Sequence, residues 1–90
     1  MSQAIVDPAE LRRFAINVKR FNSELYNQMT ILRGQLIGLG QTWRDQEHQK
    51  FAEEFDQTMQ VLARFVETTN QQVPLLLRKA EKVEEYLQQR

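Results

Sequence analysis

The eight residues from Gly38 to Asp45 divide the chain of 90 residues into two long amphipathic segments. Gly40 is the residue type that most often ends a helix in the left-handed conformation. Thr42 can cap the next helix, with Asp45 three positions later completing a weak capping box. The single Trp of the chain, Trp43, lies within this break. Because the break is so short, we expect the two helices to be antiparallel neighbours.

The first segment has a clear helix start followed by an apolar stripe. Asp7 can cap the first backbone N–H groups, and Pro8 occupies the first helical position, where its missing N–H costs no hydrogen bond. Gly34 and Gly38 thin the helix near its end and would permit close approach of another backbone. The apolar spacing alternates between four and three, as in antiparallel helix packing. It predicts a helix over residues 8–39 with the stripe Leu11, Ala15, Val18, Asn22, Leu25, Met29, Leu32, Leu36 and Leu39.

Asn22 is the one polar residue in that stripe. A polar side chain at such a position can fix the register of two packed helices at some cost in stability. The sequence leaves a second interpretation equally open. In that interpretation Phe21 makes the core contact and Asn22 faces water.

The second segment predicts a helix over about residues 44–88. Its stripe shows two successive steps of four from Phe65 to Val73, a stutter that locally unwinds a supercoil. Pro74 lies beside the stutter, and a Pro in a helix interior removes a backbone hydrogen bond and bends the helix. We therefore expect a helix kinked near Pro74. The alternative is a break, with residues 69–72 as a linker to a third helix. The stripe is His48, Phe51, Phe55, Thr58, Leu62, Phe65, Thr69, Val73, Leu76, Ala80, Val83 and Leu87.

The charge balance argues against nucleic acid and anionic membranes as partners. Twelve Lys and Arg balance twelve Asp and Glu, so the chain lacks the cationic excess that phosphate binding requires. Its longest apolar runs, such as residues 75–77, are too short to span a bilayer, and we expect no stable membrane insertion. Residues 1–6 lack the features of a signal peptide. We therefore expect a cytoplasmic protein, or one secreted without a cleaved signal peptide.

No motif for catalysis, cofactor binding or metal binding is present in the sequence. The chain has no Cys and a single His, His48, so a zinc site of the usual composition is not expected. The three glycines match neither phosphate-binding loop pattern, and neither Ser2 nor Ser23 lies in a nucleophile elbow. The sequence therefore predicts a single non-enzymatic helical-hairpin domain, residues 1–90, with no cofactor and no metal.

Both helices carry more apolar residues than one mutual interface can cover. On the second helix, an additional strip comprises Ala52, Met59, Ala63, Val66 and Leu77. Chains of this size without disulfides or metals often dimerise. The sequence thus predicts a dimer in which two hairpins form a four-helix bundle. We expect the hairpin or dimer core to contain Leu11, Phe14, Val18, Phe21, Leu25, Met29, Leu32, Leu36, Phe51, Phe55, Leu62 and Phe65.

The break and its flanks resemble the WXG superfamily, the Esx-like small substrates of type VII secretion. The similar stretch runs from Leu36 to Asp45 and is followed by Phe51, Ala52 and Phe55. The chain length, the two long helices and the Trp in the turn extend the resemblance to nearly the whole chain. Where the family has Trp-X-Gly, this chain has Trp43-Arg44-Asp45.

The resemblance implies pairing with a second copy or with a paralogous WXG-like protein. It further implies a role as a secreted substrate, or as a carrier or adaptor for a larger secreted cargo. Trp43, with Gly40, Arg44 and Asp45 around it, would present a surface to the secretion machinery. The alternative is that Trp43 covers the end of the bundle beyond Leu39, and the two roles are compatible.

One element of the family is not matched by the sequence. Its export signal places Asp or Glu four positions after a Tyr, whereas Tyr26 is followed by Thr30 and Tyr86 by Arg90. Export would then depend on a partner's signal. The competing hypothesis is an intracellular structural or regulatory coiled-coil subunit that is not exported.

Overall fold

Two antiparallel helices and a short turn make up the computed structural model of the protein, which describes residues 6–89. Helix α1 spans Pro8–Leu39 and helix α2 spans Gln46–Gln88. The hairpin measures 68 × 21 × 14 Å and has a radius of gyration of 20.1 Å. A compact monomer of this length would have a radius of gyration of about 12 Å. The predicted all-α hairpin is confirmed, and it is a rod rather than a globule.

Aspartate side chains cap the start of both helices. The Asp7 carboxylate accepts a hydrogen bond from the backbone N–H of Ala9 at 2.9 Å, as predicted for a cap before Pro8. The Asp45 carboxylate accepts from the N–H of His48 at 3.1 Å. The prediction that Thr42 caps α2 was therefore wrong. The Thr42 hydroxyl donates back to the Leu39 carbonyl at 3.5 Å and belongs to the end of α1.

The prediction that Gly40 adopts the left-handed conformation was also wrong. Gly40 has φ −63° and ψ −13°, which any residue can adopt. A Cβ atom on Gly40 would lie 3.2 Å from the Ile37 carbonyl oxygen and 3.5 Å from Cε1 of His48. Space, rather than backbone conformation, therefore explains the glycine. No atom lies within 4 Å of a Cβ placed on Gly34 or Gly38, so within the hairpin neither of them serves a close helix approach.

Because a Cβ atom has room at Gly34 but not at Gly40, alanine substitution is expected to affect stability differently at the two positions. Gly34→Ala is expected to stabilise the protein by about 0.5–1 kcal/mol, because it removes the entropic cost of a glycine in an open helical position. Gly40→Ala is expected to give no such gain, because its Cβ presses on the Ile37 carbonyl. Urea unfolding followed by circular dichroism measures both. Equal gains in stability for the two variants would contradict the conclusion that Gly40, unlike Gly34, is required for lack of space.

Helix α2 runs without interruption through Pro74, so the alternative of a third helix was wrong. Since Pro74 has no N–H, the backbone carbonyl of Asn70 lacks its usual intrahelical partner at this position. The helix persists because both sides of this point are packed against α1: Val73 is buried, and so are Ala80 and Val83 beyond it.

The seam between the helices repeats every seven residues. In α1 the buried residues are Ala15, Asn22 and Met29. In α2, Met59, Val73 and Ala80 fit a seven-residue series that also contains the half-buried Ala52 and Val66. Burying Asn22 agrees with the interpretation in which a polar residue lies in the seam.

The first half of the α2 stripe was predicted one position out of place. Ala52, Met59 and Val66 face α1, whereas the neighbouring Phe51 and Phe65 are exposed. With Ala52, Met59 and Val66 in the seam instead of Phe51, Thr58 and Phe65, the spacing of the α2 seam residues alternates between three and four. The predicted stutter then disappears. The physical reason is size: Ala and the flexible Met allow two helices to approach closely, whereas the larger Phe rings fit at the flank of the seam.

Candidate functional site

One side of the hairpin carries the phenylalanine side chains, and we call it the Phe face. Five of its large apolar residues remain between 44% and 58% exposed, namely Phe14, Phe21, Leu32, Phe51 and Phe65. Between them lie half-buried apolar residues, namely Val18, Leu25, Phe55, Leu62 and Leu76. A contiguous apolar surface of this kind marks a site of association in a water-soluble chain.

Aromatic contacts order the Phe face and connect it to the turn. The rings of Phe21 and Phe65 meet edge to face across the two helices, with centroids 6.2 Å apart. Phe51 stacks on Phe55 at 5.9 Å. The Trp43 ring lies 6.1 Å from Phe51. The aromatic surface therefore extends from the middle of the hairpin to its turn.

A shallow cavity of about 420 Å³ lies on the Phe face. Its walls are formed mainly by Phe14, Val18, Phe21, Phe65 and Leu76. The cavity lies away from the turn, toward the end of the hairpin where α1 begins. An apolar cavity of this size can receive an aromatic side chain from another molecule.

The turn is built on the only Trp and the only His of the chain. The Trp43 and His48 rings meet edge to face at 4.9 Å, and both residues are half-buried. The backbone N–H of Trp43 donates to the Leu39 carbonyl at 2.7 Å. The guanidinium of Arg44 donates to the Gln41 carbonyl at 3.1 Å. These bonds fix the Trp43 ring over the end of the helix pair, in contact with Phe51.

The side of the hairpin opposite the Phe face carries two ion pairs, Arg12–Glu84 and Arg33–Asp56. It also contains an open groove, and we call it the groove face. Arg12 pairs with Glu84 near the open end, with its Nε 3.3 Å from a Glu84 carboxylate oxygen. This hydrogen bond lowers the pKa of Glu84 and raises the pKa of Arg12 from their usual values. Arg33 lies 3.7 Å from Asp56 closer to the turn. Both pairs are solvent-exposed and therefore contribute little to stability.

A polar cluster lies inside the seam near its midpoint. Asn22 is 1% exposed, and its amide nitrogen donates to the Thr69 hydroxyl at 2.7 Å and to the Asn70 side-chain oxygen at 2.9 Å. The Thr69 hydroxyl in turn donates to the Phe65 carbonyl at 2.8 Å. The Asn22 side-chain oxygen is buried without a hydrogen-bond partner. Such a cluster specifies one register of the two helices at a cost in stability.

Comparison with known proteins places this geometry in a family. The chain matches the description "WXG100: Proteins of 100 residues with WXG" over residues 3–87. It belongs to the WXG100 family. No curated protein matches the sequence.

Solved structures of the secreted protein EsxB from Bacillus anthracis strain Sterne are similar to this WXG100 chain. The selenomethionine-labelled form is 28% identical, has a TM-score of 0.77, and the match covers 96% of this chain and 98% of that one. The wild-type form gives 28% identity and a TM-score of 0.77, covering 93% and 97%. A single-substitution variant gives 28% identity and a TM-score of 0.76, covering 94% and 98%.

The structure explains how a WXG100 chain tolerates Asp45 in place of the family's Gly. Asp45 has φ −87° and ψ −177°, an extended conformation open to any residue. It occupies the N-cap of α2, where a carboxylate is favoured by the exposed N–H groups and by the helix dipole. The change thus replaces a flexible residue by a cap and leaves the turn intact.

The residues named from the sequence as core fall into three groups in this WXG100 hairpin. Met29 is buried; Leu11, Val18, Leu25, Leu36, Phe55 and Leu62 are half-buried; and Phe14, Phe21, Leu32, Phe51 and Phe65 are exposed. Five residues of the two predicted apolar stripes are also buried, namely Ala15, Asn22, Val73, Ala80 and Val83. Met59, predicted in the additional strip of α2, is buried as well, and its seven-residue series with Val66 and Val73 was the signal that could have found it.

Two further classes of site were tested on residues 6–89. In that range no three Asp, Glu or His side chains come together as a set of metal ligands. Neither helix is long and apolar enough to cross a membrane.

Proposed function

We propose that this WXG100 protein is a non-enzymatic substrate or carrier of a type VII-like secretion system and acts as a dimer joined through the Phe face. The observation that carries the proposal is the exposed Phe face of a chain that matches the family over residues 3–87. The similarity to EsxB, which is described as a secreted protein, supports export. Before export the protein would be cytoplasmic, with no requirement for a cleaved signal peptide.

The exposed surface supports dimerisation. The hairpin exposes 7349 Å², whereas a compact monomer of 10.7 kDa exposes about 5,500 Å². Five large apolar side chains of the Phe face contribute to this surface. Covering the Phe face with a second hairpin produces the four-helix bundle that is typical of the family. The groove face is a poorer candidate, because its ion pairs would be desolvated on burial.

The arrangement of aromatic residues favours a second copy of the same chain as the partner. A two-fold axis at the Phe21–Phe65 contact would pack these two rings against the same two rings of the partner. It would also lay the turn end of one hairpin, with Phe51 and Phe55, alongside the open end of the other. Such a contact is self-complementary, as a symmetric dimer requires. A paralogous WXG protein with the same pattern would compete for this surface.

Trp43 is the residue that we propose the secretion machinery recognises. Its ring is half-buried against His48 and Phe51, so one side of it stays accessible at the tip of the rod. Arg44 and Asp45 beside it bond to the Gln41 carbonyl and to the N–H of His48, and Gly40 lies close to the His48 ring. The same contacts also cover the end of the helix pair, and recognition and capping therefore coexist in one residue.

Trp43→Ala separates these two roles. We expect the variant to remain helical and dimeric, because Trp43 lies beyond both helices, and to be lost from the culture medium of a strain with an intact secretion system. Immunoblots of medium and cells, with circular dichroism and sedimentation of the purified variant, measure this. Gln41→Ala is a matched control in the same turn, with export expected to be unchanged. A lower melting temperature with normal export would assign Trp43 to capping alone.

The alternative is an intracellular structural or regulatory coiled-coil subunit. It is favoured by one observation: neither Tyr26 nor Tyr86 is followed four positions later by Asp or Glu. Under this alternative the native protein stays in the cell pellet even when a paralogous partner is co-expressed. Appearance in the medium only with such a partner would instead identify the chain as cargo or carrier that uses the partner's signal.

A further inference from the structure

The groove face contains an open groove of about 720 Å³ at the middle of the hairpin. Its walls include Lys19 and Tyr26 from α1 and Asn70, Pro74 and Leu77 from α2. The buried side chain of Val73 forms part of its floor. The groove lies on the side opposite the Phe face, so it stays open when a second hairpin covers the Phe face.

A regular series of basic residues runs along the α1 edge of this face. Arg12, Lys19 and Arg33 are separated by multiples of seven and therefore share one side of the helix. Arg33 pairs with Asp56 and Arg12 with Glu84. Each of these two cations thus has a carboxylate on α2.

Lys19, unlike Arg12 and Arg33, forms no ion pair with a carboxylate of α2. Lys19 shares the groove with Asn70, Pro74 and Leu77 of α2, and none of these three side chains is charged. The Asn70 side-chain oxygen is already used by the Asn22 amide. Within residues 6–89 no carboxylate lies within 4 Å of the Lys19 ammonium. Lys19 therefore offers a cation at the edge of an apolar groove.

Pro74 adds a second unfilled group at the same place. Because Pro74 has no N–H, the backbone carbonyl of Asn70 is deprived of its i→i+4 hydrogen bond. Asn70 and Pro74 both line the groove. A carbonyl with spare acceptor capacity thus belongs to a residue that lines the groove.

We propose that this groove binds an amphipathic helix of a partner protein that supplies the missing carboxylate to Lys19. The apolar side of that helix would cover Val73 and Leu77, and a polar hydrogen on it would reach the Asn70 carbonyl. Charge complementarity selects an acidic rather than a basic helix. A dimer joined through the Phe face carries two such grooves on its outer sides, but a single hairpin carries the whole site, so the inference does not depend on dimerisation.

The test uses two short stapled helical peptides that differ at one central position, Glu in one and Lys in the other, on a shared background of Leu at heptad spacing. Binding is followed by isotope-edited NMR of the full chain. We expect the Glu peptide to bind at least about tenfold more tightly than the Lys peptide, with the largest shifts at Tyr26, Asn70 and Leu77. Lys19→Glu should invert that preference, and Lys79→Glu, on the opposite side, should leave it unchanged.

Asn70→Asp is the sharper variant because it has almost the same shape. Its carboxylate can still accept the Asn22 hydrogen bond, and it places a negative charge in the groove that Lys19 lines. We expect the Glu peptide to lose at least about tenfold in affinity for this variant while helicity stays the same. Equal binding of the two peptides, shifts confined to the Phe face, or no binding by either would overturn the proposal. Peptide binding is also measured with the Phe21→Glu variant, which is designed to disrupt the Phe face. The preference for the Glu peptide should be the same there, so the test of the groove does not depend on dimerisation.

Discussion

Phe21→Glu is expected to convert the dimer into a monomer that is still helical. Phe21 is 53% exposed at the centre of the Phe face, where it meets Phe65. A symmetric dimer buries it twice, and since about half of the side chain is already covered in the hairpin, each burial contributes about 0.8–1.5 kcal/mol. The introduced carboxylate would in addition be desolvated without a partner. We therefore expect the dissociation constant of the dimer to rise by at least about a hundredfold.

Sedimentation equilibrium over a range of micromolar concentrations measures this change directly. Ile31→Glu is the matched control, since Ile31 is 50% exposed and lies nine positions from the buried Asn22, on the outer side of α1; its mass should equal that of the native protein. Phe14→Glu, at 58% exposure, repeats the test away from the Phe21–Phe65 contact. A native protein that sediments as a monomer, or a Phe21→Glu variant that stays dimeric, would refute the Phe face as the dimer interface.

Asn22→Asp is expected to destabilise the protein strongly at neutral pH. The substitution replaces an amide that donates to Thr69 and Asn70 with a carboxylate at a position that is 1% exposed. An uncompensated buried charge costs about 3–5 kcal/mol. Burial raises the pKa of such a carboxyl in the folded state, so the penalty applies above that pKa and declines as the pH falls through it.

Urea unfolding at neutral and mildly acidic pH, at one protein concentration, tests this expectation. Asn22→Leu is the companion variant, with a similar shape and no polar atoms. It removes the unpartnered Asn22 oxygen while the Thr69 hydroxyl keeps its bond to Phe65. We expect it to be more stable than the native protein by about 1 kcal/mol. A stable Asn22→Asp variant at neutral pH would mean that the seam opens to water at this point.

Much of the fold could be predicted because its determinants are local. Asp7 and Pro8 start α1 by backbone chemistry alone, and the α1 stripe from Leu11 to Leu36 follows the true seam except at the exposed Leu32. The turn was located correctly, although Asp45 rather than Thr42 caps α2. Two well-placed carboxylates and a short break are enough to specify an antiparallel pair.

The face that each aromatic residue occupies could not be predicted, because that depends on the distance between the helices. Hydrophobicity favours Phe51 and Phe65 as seam residues, yet the structure places the smaller Ala52 and Val66 there. Only the packed pair reveals that Phe rings do not fit between helices that approach at Ala15 and Ala80, both fully buried. The misplaced Phe residues are the ones that form the candidate interaction surface.

The antiparallel hairpin also determines what can be attached to the protein without disturbing it. Val6 and Gln89, at the two ends of the described chain, both lie at the end of the rod near the Arg12–Glu84 pair. Trp43 lies at the other end of a molecule that is 68 Å long. A domain or affinity tag attached beyond Val6 or Gln89 is thus joined to the rod at the end opposite the turn. Labelled versions of the protein can therefore be used in assays of Trp43 without obstructing it.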